Sequence, residues 1–363
     1  MSRRGDLERT FQRIWAGEHP VVSFLLWPLS LVWWLGSVIH RALYAVGLKP
    51  SVQLGVPVIS VGNVVVGGAG KTPVTLELAT RLIRAGRRVA VVSRGYGRVS
   101  TGTVIVSDGQ ALRATAADGG DEPVWLARRE PKLMVVVSEK RAEAASAALD
   151  LGADLILMDD GLSHYGLRRD VDVVVIDDRG RFGNGRMLPA GPLRMPKGRA
   201  RQAALLWWTK VNTLEHRRPE PLLLRTQPAV HSSYAAETLV DLELHAKEAV
   251  ETLRGRRVLA VCGIARPENF ESSLEALGAN VRALLPFPDH HRFAREDVAA
   301  IERAVREHRC DLVVTTEKDA VRLALVTSGD LYRALAMKLS VLDPEALDGL
   351  IRRFQPAAPL ETG

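Results

Sequence analysis

The sequence predicts an α/β protein with two α/β/α sandwich domains, each built on a parallel sheet, and a helical segment in front of them. Short apolar strands alternate with helical patterns along most of the 363 residues, which is typical of parallel sheets covered by helices on both faces. A glycine-rich turn follows the first strand, and an uncharged stretch precedes it. The predicted division is 1–47 for the N-terminal helical segment, 48–225 for the first domain, 226–247 for a linker and 248–363 for a C-terminal α/β domain.

Hydrophobic periodicity predicts the individual elements. The predicted strands of the first domain are 56–61, 89–93, 133–137, 154–158 and 171–176. Its predicted helices are 75–85, 124–129 and 139–151. The pattern weakens through 217–234 and then restarts. The predicted strands of the second domain are 257–262, 280–285 and 311–315, and its predicted helices are 267–277, 295–308 and 319–325.

The turn after the first strand has the composition of a phosphate-binding loop. The stretch 58–72 reads VISVGNVVVGGAGKT, so its glycines can curl backbone N–H groups around phosphate oxygens while Lys71 contacts the outer phosphates and Thr72 binds Mg²⁺. The strict pattern requires glycine at position 65, where this chain has Val65. We expect a P-loop NTPase fold in which the nucleotide is held by Gly67, Gly68, Ala69, Gly70, Lys71 and Thr72.

Paired carboxylates end a later strand of the same domain. The stretch 154–161 reads DLILMDDG. In phosphate-loop proteins an acidic residue at the end of a neighbouring strand supports the magnesium ion. The sequence therefore predicts a magnesium site formed by Thr72 with Asp159 or Asp160.

Two further loops hold acid and base groups. Asp121 in GDEP (120–123) either caps the following helix or orients an acceptor hydroxyl and takes its proton. FPDHHRF (287–293) places His290 and His291 beside an aspartate. A metal site is one interpretation, but no further ligand has suitable spacing, so a proton-handling role is favoured. TTEKD (315–319) resembles the guanine reader T-K-x-D with its lysine one position late, so we expect ATP.

Composition narrows the class of protein. Hydrophobic residues make up 47% of the chain, which is enough for a large core. Cys262 and Cys310 are the only cysteines, so a disulfide framework is excluded and a reducing compartment is expected. The net charge of +7 and the pI near 9.6 favour an anionic partner. No nucleic-acid-binding signature is present, and no obligate protein partner is predicted.

The uncharged stretch at 21–39 indicates a membrane partner. Its 19 residues are just long enough to span a bilayer. Three tryptophans and Pro28 fit a helix lying in the interface equally well, because tryptophan prefers the headgroup level. A buried core helix is the remaining alternative. A cleaved signal peptide is disfavoured because the apolar run begins late and the phosphate loop follows directly.

As a set, these motifs resemble those of the tetraacyldisaccharide 4'-kinase family, membrane-associated enzymes that phosphorylate the lipid A precursor of Gram-negative bacteria. The family usually has D-D-G-F-Q-H where this chain has Leu162 and Ser163, and glutamate where it has Met195. The motifs that carry the resemblance are VGNVVVGGAGKTP (61–73), SRGYGR (93–98), GDEP (120–123), DDGLSH (159–164), FGNGRMLPAGPLR (182–194), PDHH (288–291) and TEKDAVR (316–322).

The resemblance implies magnesium-assisted transfer of the γ-phosphoryl group of ATP to the 4'-hydroxyl of a tetraacyl glucosamine disaccharide 1-phosphate. It implies that Asp121 acts as the base, that His290 supports it from the other domain, and that Lys71 contributes to catalysis. Contacts to sugar or phosphate are expected from Arg94, Asn184 and Arg194. The expected location is the cytoplasmic face of the bacterial inner membrane.

A membrane-anchored regulatory ATPase, whose output is a partner interaction, is the competing hypothesis. The deviant phosphate loops closest to this spacing carry a signature lysine, and Val66 occupies that position here. The acid and base groups expected in the cleft also favour an enzyme.

Overall fold

The computed structural model describes residues 3–214, 221, 224, 226–264, 266–288 and 291–356. The strands are β1 (Val58–Gly62), β2 (Val89–Ser93), β3 (Val104–Asp108), β4 (Met134–Val137), β5 (Leu155–Asp159), β6 (Val171–Asp177), β7 (Leu205–Thr209), β8 (Ala229–Val240), β9 (Ala246–Glu248), β10 (Arg257–Cys262), β11 (Asn280–Pro286), β12 (Leu312–Thr316) and β13 (Tyr332–Val341). The α-helices are α1 (Arg3–Ala16), α2 (Pro20–Leu25), α3 (Trp27–Ala45), α4 (Lys71–Arg84), α5 (Ala116–Gly119), α6 (Asp121–Arg129), α7 (Arg141–Asp150), α8 (Pro267–Ala276), α9 (Arg295–Glu307), α10 (Glu317–Leu323) and α11 (Glu345–Arg353).

In the described part of the chain, the strands form one large sheet. Their order is β3-β4-β2-β5-β1-β6-β7-β8-β13-β12-β10-β11, and β9 pairs with β8 outside this path. The pairs β3–β4, β8–β9 and β8–β13 are antiparallel, and the others are parallel. The α/β class with a mostly parallel sheet, predicted from the sequence, is therefore confirmed.

Strand β8 joins the two halves of the sheet. Its first residues pair in parallel with β7, and residues from Ser232 onward pair antiparallel with β13. The predicted linker at 226–247 thus contains β8 and the first two residues of β9. The division of the chain into two domains remains a prediction.

The centre of the first half positions the phosphate loop. All five residues of β1 are buried, as its valine-rich sequence requires for a strand flanked in parallel on both sides by β5 and β6. The register pairs Val61 with Asp159. Because parallel strands end at the same edge of a sheet, the loop after β1 and the carboxylates after β5 lie side by side.

The N-terminal segment contains three helices where the sequence predicted one apolar helix over 21–39. The chain breaks at Leu26, between α2 and α3, and Pro28 lies in the first turn of α3, where its missing N–H leaves no intrahelical bond unmade. Among the residues that the structure describes, we find no helix with both the length and the apolar character needed to cross a bilayer.

Candidate active site

The phosphate loop connects the end of β1 to the start of α4. Gly70 caps α4 with φ of +83°, and Gly67 has φ of +114°, backbone conformations that glycine adopts without strain. A Cβ atom on Gly70 would lie 2.3 Å from the Tyr234 hydroxyl oxygen, so no larger residue fits there. Lys71 and Thr72 form the first turn of α4, whose N–H groups lack intrahelical partners and favour an anion.

Neighbouring segments fix the shape of the loop. The Thr209 hydroxyl donates to the Ala69 carbonyl at 2.7 Å, and Lys210 Nζ donates to the Gly68 carbonyl at 3.0 Å. On the other side, the Val66 N–H donates to the Pro192 carbonyl at 2.8 Å. The loop is therefore held on both sides by contacts within the protein. A cavity of about 600 Å³ lies against its outer face.

Asp159 is the carboxylate that faces the hydroxyl of Thr72. The hydroxyls of Thr72 and Thr75 donate to its two oxygens at 3.3 and 3.1 Å. Burial, together with the negative charge of Glu122 and against the opposing charge of Lys71, raises the pKa of Asp159 to about 6. A buried carboxylate with incompletely balanced charge is well suited to a bound cation.

Asp160 points to a different set of groups. Its backbone is in the left-handed region with φ of +53°. Its carboxylate accepts two hydrogen bonds from Arg194 and lies 3.8 Å from Lys71 Nζ. Burial raises the pKa of Asp160, but the Arg194 hydrogen bond and the charge of Lys71 outweigh burial and hold it below its usual value. The two adjacent carboxylates, which the sequence did not distinguish, thus face different groups.

Glu122 is a site residue to which sequence reasoning gave no role. Its carboxylate lies close to Lys71 and Thr72, and both lower its pKa. Lys318 Nζ, from α10, is 2.5 Å from its carboxylate. Burial raises the pKa of Glu122, but Lys318 outweighs burial and holds it below its usual value. The sequence analysis singled out the GDEP motif for Asp121, but it could not show that α10 faces Glu122.

Asp121 lies at the first position of α6 and faces α10. Arg322 Nε donates to its Oδ2 at 2.7 Å. Residues from two distant parts of the chain therefore meet here. The predicted partner His290 lies outside the described residues.

His291, the alternative histidine, has its ring enclosed by its own neighbours. The ring stacks on Phe287 at 4.8 Å between centroids and meets the edge of Phe293 at 5.1 Å. Its Nε2 lies 2.8 Å from Asp297 Oδ2. Only its backbone carbonyl turns to the Asp121 network, where it accepts from Arg322 at 3.3 Å.

The three residues predicted to contact the substrate occupy different environments. Arg194 donates to Asn63 and Asp160 and so belongs to the phosphate-loop cluster. Arg94 is exposed and is close enough to Arg141 and His164 to affect their pKa values.

The amide of Asn184 makes internal contacts. Its Nδ2 donates to the Ala190 carbonyl at 2.9 Å and to the Ser23 hydroxyl at 3.2 Å, and its Oδ1 accepts from the Arg186 N–H at 3.1 Å. These bonds attach α2 to the 184–194 loop. A substrate contact by Asn184 remains a prediction.

Arg141 and His164 lie near Asp160 and Arg94, and the sequence analysis gave neither residue a role. Arg141 begins α7 and is only 6% exposed. Burial lowers its pKa to about 10, and Asp159 and Asp160 oppose that change, so it stays charged at neutral pH. Burial, helped by Arg141, lowers the pKa of His164 to about 4, so its imidazole is neutral there. Among the described residues, Arg141 Nε has no hydrogen-bond partner.

Comparison with known proteins agrees with this arrangement. The family model described as tetraacyldisaccharide-1-P 4'-kinase, LpxK, matches residues 22–355. A tetraacyldisaccharide 4'-kinase of Anaeromyxobacter dehalogenans is 44% identical over 315 residues, covering 84% of this chain and 83% of that protein. One from Syntrophus aciditrophicus is 38% identical, covering 86% of this chain and 89% of that protein.

A solved structure shares the fold across nearly the whole chain. Aquifex aeolicus LpxK, crystallised in complex with ATP, superposes with a TM-score of 0.77 at 30% identity, covering 93% of this chain and all of that one. The kinase predicted from the sequence is thereby confirmed at the level of the family. The extent of these matches shows that the chain belongs to the tetraacyldisaccharide 4'-kinase family.

Proposed function

We propose that this protein transfers the γ-phosphoryl group of ATP to the 4'-hydroxyl of a tetraacyl glucosamine disaccharide 1-phosphate, at the cytoplasmic face of the bacterial inner membrane. The observation that carries the proposal is the convergence of Lys71, Thr72 and Asp159 at one helix N-terminus. Family membership supplies the acceptor class. ATP is the donor because the solved relative was crystallised with ATP. The TTEKD element, which spans the end of β12 and the start of α10, has its lysine one position late for a guanine reader.

The donor side is built from the phosphate loop. The loop glycines surround the phosphates, and Lys71 contacts the β- and γ-phosphates. Thr72 and Asp159 fit a magnesium ion, since a hydroxyl and a buried carboxylate with unbalanced charge face each other. The described residues hold no cluster of three or more metal-ligating side chains, which suits an ion that takes few protein ligands and completes its shell with phosphate and water. When bound, magnesium would offset the negative charge that develops on the transferred phosphoryl group.

The acceptor side lies between Asp121 and the basic groups of the cleft. Asp121 orients the acceptor hydroxyl and accepts its proton, a role that phosphoryl transfer to an alcohol commonly gives to a carboxylate. His290 supports Asp121 by family resemblance. Arg94 and Arg141 contact anionic oxygens of the substrates, because two arginines on one wall of a cleft favour such groups.

Replacing Arg141 with methionine should therefore impair use of the glycolipid. The loss of a charged hydrogen-bond donor should raise the KM for the acceptor or lower kcat on the order of tenfold, while the KM for ATP changes little. Steady-state kinetics with each substrate varied in turn measures both effects.

Arg87 provides the matched control. It is also a partly buried arginine, and it bonds the Phe354 carbonyl. Arg87→Met should lower stability without a selective loss for the acceptor. If the two variants changed the kinetic constants for the acceptor equally, a direct contact between Arg141 and the acceptor would be contradicted.

The membrane surface is proposed to be the outer face of α2 and α3. Both helices reverse the usual burial pattern, since Ser23 and Ser30 are buried while apolar side chains face outward. A helix with exposed tryptophans suits the membrane interface. Exposed apolar residues of this face are Val21, Phe24, Leu25, Trp27, Leu29, Leu31, Val32, Trp33, Trp34, Leu35, Val38 and Ile39.

The two serines attach this face to the active site. Ser23 donates to the Ala190 carbonyl at 2.7 Å, and Ser30 donates to the Met187 carbonyl at 2.9 Å. Both acceptors belong to the 184–194 loop, whose Arg194 bonds Asp160. Deletion of 1–47 would therefore disturb the catalytic cleft, so point changes on the outer face give the cleaner test.

A double variant, Val32→Glu with Leu35→Glu, should release the protein from lipid vesicles. These side chains are 69% and 52% exposed, so the changes leave the fold intact, whereas a carboxylate is costly at the level of the acyl chains. Vesicle co-sedimentation measures the effect. Leu112→Glu, at an exposed apolar residue far along the sheet, is the control and should bind as the wild type does. Unchanged binding of the double variant would place the membrane surface elsewhere.

The predicted arrangement of two α/β/α domains with a β connection fits this function, because donor and acceptor then meet between them. Contacts of α10 with α6 support that arrangement. ATP turnover with and without the glycolipid separates this kinase from a regulatory ATPase. A kinase consumes ATP only in step with the acceptor, whereas equal consumption without acceptor would contradict the proposal.

A further inference from the structure

A chain of buried polar contacts connects the second half of the sheet to Asp121. Asp319, which is fully buried, accepts from the Gly263 N–H at 3.0 Å and from the Thr316 hydroxyl at 2.6 Å. Its other oxygen accepts from Arg322 Nη1 at 3.1 Å. Arg322 Nε then donates to Asp121 Oδ2 at 2.7 Å. The chain therefore runs from the ends of β10 and β12, through α10, to the first turn of α6.

Arg322 has little freedom of its own. It is 5% exposed, and its Nη1 also donates to the His291 carbonyl at 3.3 Å. A guanidinium holds its five N–H donors in one fixed plane, so with Nη1 bonded to two partners its Nε–H has a set direction. That direction is the Asp121 carboxylate.

The same helix bonds the residue next to Asp121. Lys318, one turn before Arg322, pairs with Glu122, whose carboxylate lies close to Thr72 of the phosphate loop. Neighbouring side chains of α10 thus hold both carboxylates of the GDEP motif. An arginine that served only to stabilise α10 would need no partner beyond Asp319.

We propose that Arg322 is a positioning residue that fixes the Asp121 carboxylate for the acceptor hydroxyl. The inference rests on the proposed function, in which Asp121 is the base. Arg322 touches neither substrate. It acts through Asp121 by restricting rotation of the carboxylate, so its removal should slow the chemical step more than it weakens ATP binding.

The test compares Arg322→Gln, Arg322→Lys and the control Arg333→Gln in the full-length protein. Arg333 is a matched residue, because it is also buried, belongs to the second half of the sheet and pairs with Glu248 at 2.9 Å, away from α6. Thermal unfolding and the steady-state constants for both substrates are measured for each variant. Arg322→Gln should lower kcat on the order of tenfold or more with little change in the KM for ATP. Arg322→Lys, which keeps the charge, should recover part of this loss, and Arg333→Gln should lower stability alone.

A double variant tests whether Arg322 acts through Asp121. Asp121→Asn with Arg322→Gln should be scarcely slower than Asp121→Asn alone, since residues that act as one unit give non-additive losses. Multiplicative losses would overturn the inference, as would equal kcat in Arg322→Gln and Arg333→Gln. Failure of the wild type to phosphorylate the glycolipid would instead overturn the proposed function.

Discussion

Lys71→Ala is expected to lower kcat on the order of a hundredfold or more. Lys71 lies in the first turn of α4 with its Nζ 3.8 Å from Asp160, and we expect its ammonium to contact the outer phosphates. The charge that it offsets grows on the transferred group in the transition state, so the loss should fall mainly on kcat. Steady-state kinetics with saturating glycolipid measures it.

Lys140→Ala is the control for loss of a lysine charge. Lys140, the N-cap residue of α7, is 78% exposed, and its ammonium pairs with Glu143 of that helix, so this variant should turn over like the wild type. Near-normal turnover of Lys71→Ala would contradict the prediction that this loop binds the phosphates of ATP.

Asp159→Asn is expected to have an effect of similar size, on the order of a hundredfold in rate, through loss of the magnesium contact. Asparagine keeps the shape and can still bond the hydroxyls of Thr72 and Thr75. Burial raises the pKa of Asp159 to about 6, so a neutral amide costs less to bury than the carboxylate, and the variant should fold. The rate at increasing magnesium concentration measures the effect, and higher magnesium should restore part of the activity.

Asp160→Asn is the comparison that separates the paired carboxylates. Asp160 bonds Arg194 and faces Lys71, so its loss should disturb these cations and change the magnesium requirement less than Asp159→Asn does. The reverse order would make Asp160 the magnesium ligand.

Local pattern was sufficient to predict the phosphate-loop region. The strand β1, the glycine turn and the helix α4 follow one another without long-range help, because a β-branched run and a Gly-Lys-Thr turn each have one favourable structure. The end of β5 was predictable for the same reason. Which carboxylate faces Thr72 was not, since it depends on the left-handed backbone of Asp160.

The sequence analysis did not predict β13, because this strand depends on pairing with distant strands. The stretch YRALAMKLSV has the alanine, leucine, methionine and lysine content of a helix, yet it forms β13 because β12 and β8 flank it on both sides. Helix α10 begins at Glu317, two residues before its predicted start, since Thr316 caps it.

Long-range contacts also decide which residues form the candidate active site. Arg322 lies 201 residues beyond Asp121, and the first residue of α7, Arg141, carries no motif of its own. Motif spacing in the sequence therefore could not assign either arginine to the site. The amide of Asn184 shows the opposite case, in which a polar residue in a distinctive motif is occupied by internal contacts.

Mass analysis of the reaction product tests the central claim most directly. The purified protein is incubated with ATP labelled in the γ-phosphate, magnesium and a tetraacyl glucosamine disaccharide 1-phosphate. Our account predicts that label moves to the glycolipid as a second phosphate monoester on the 4'-oxygen, with one ADP formed for each product. Release of labelled free phosphate with the glycolipid unchanged would contradict it.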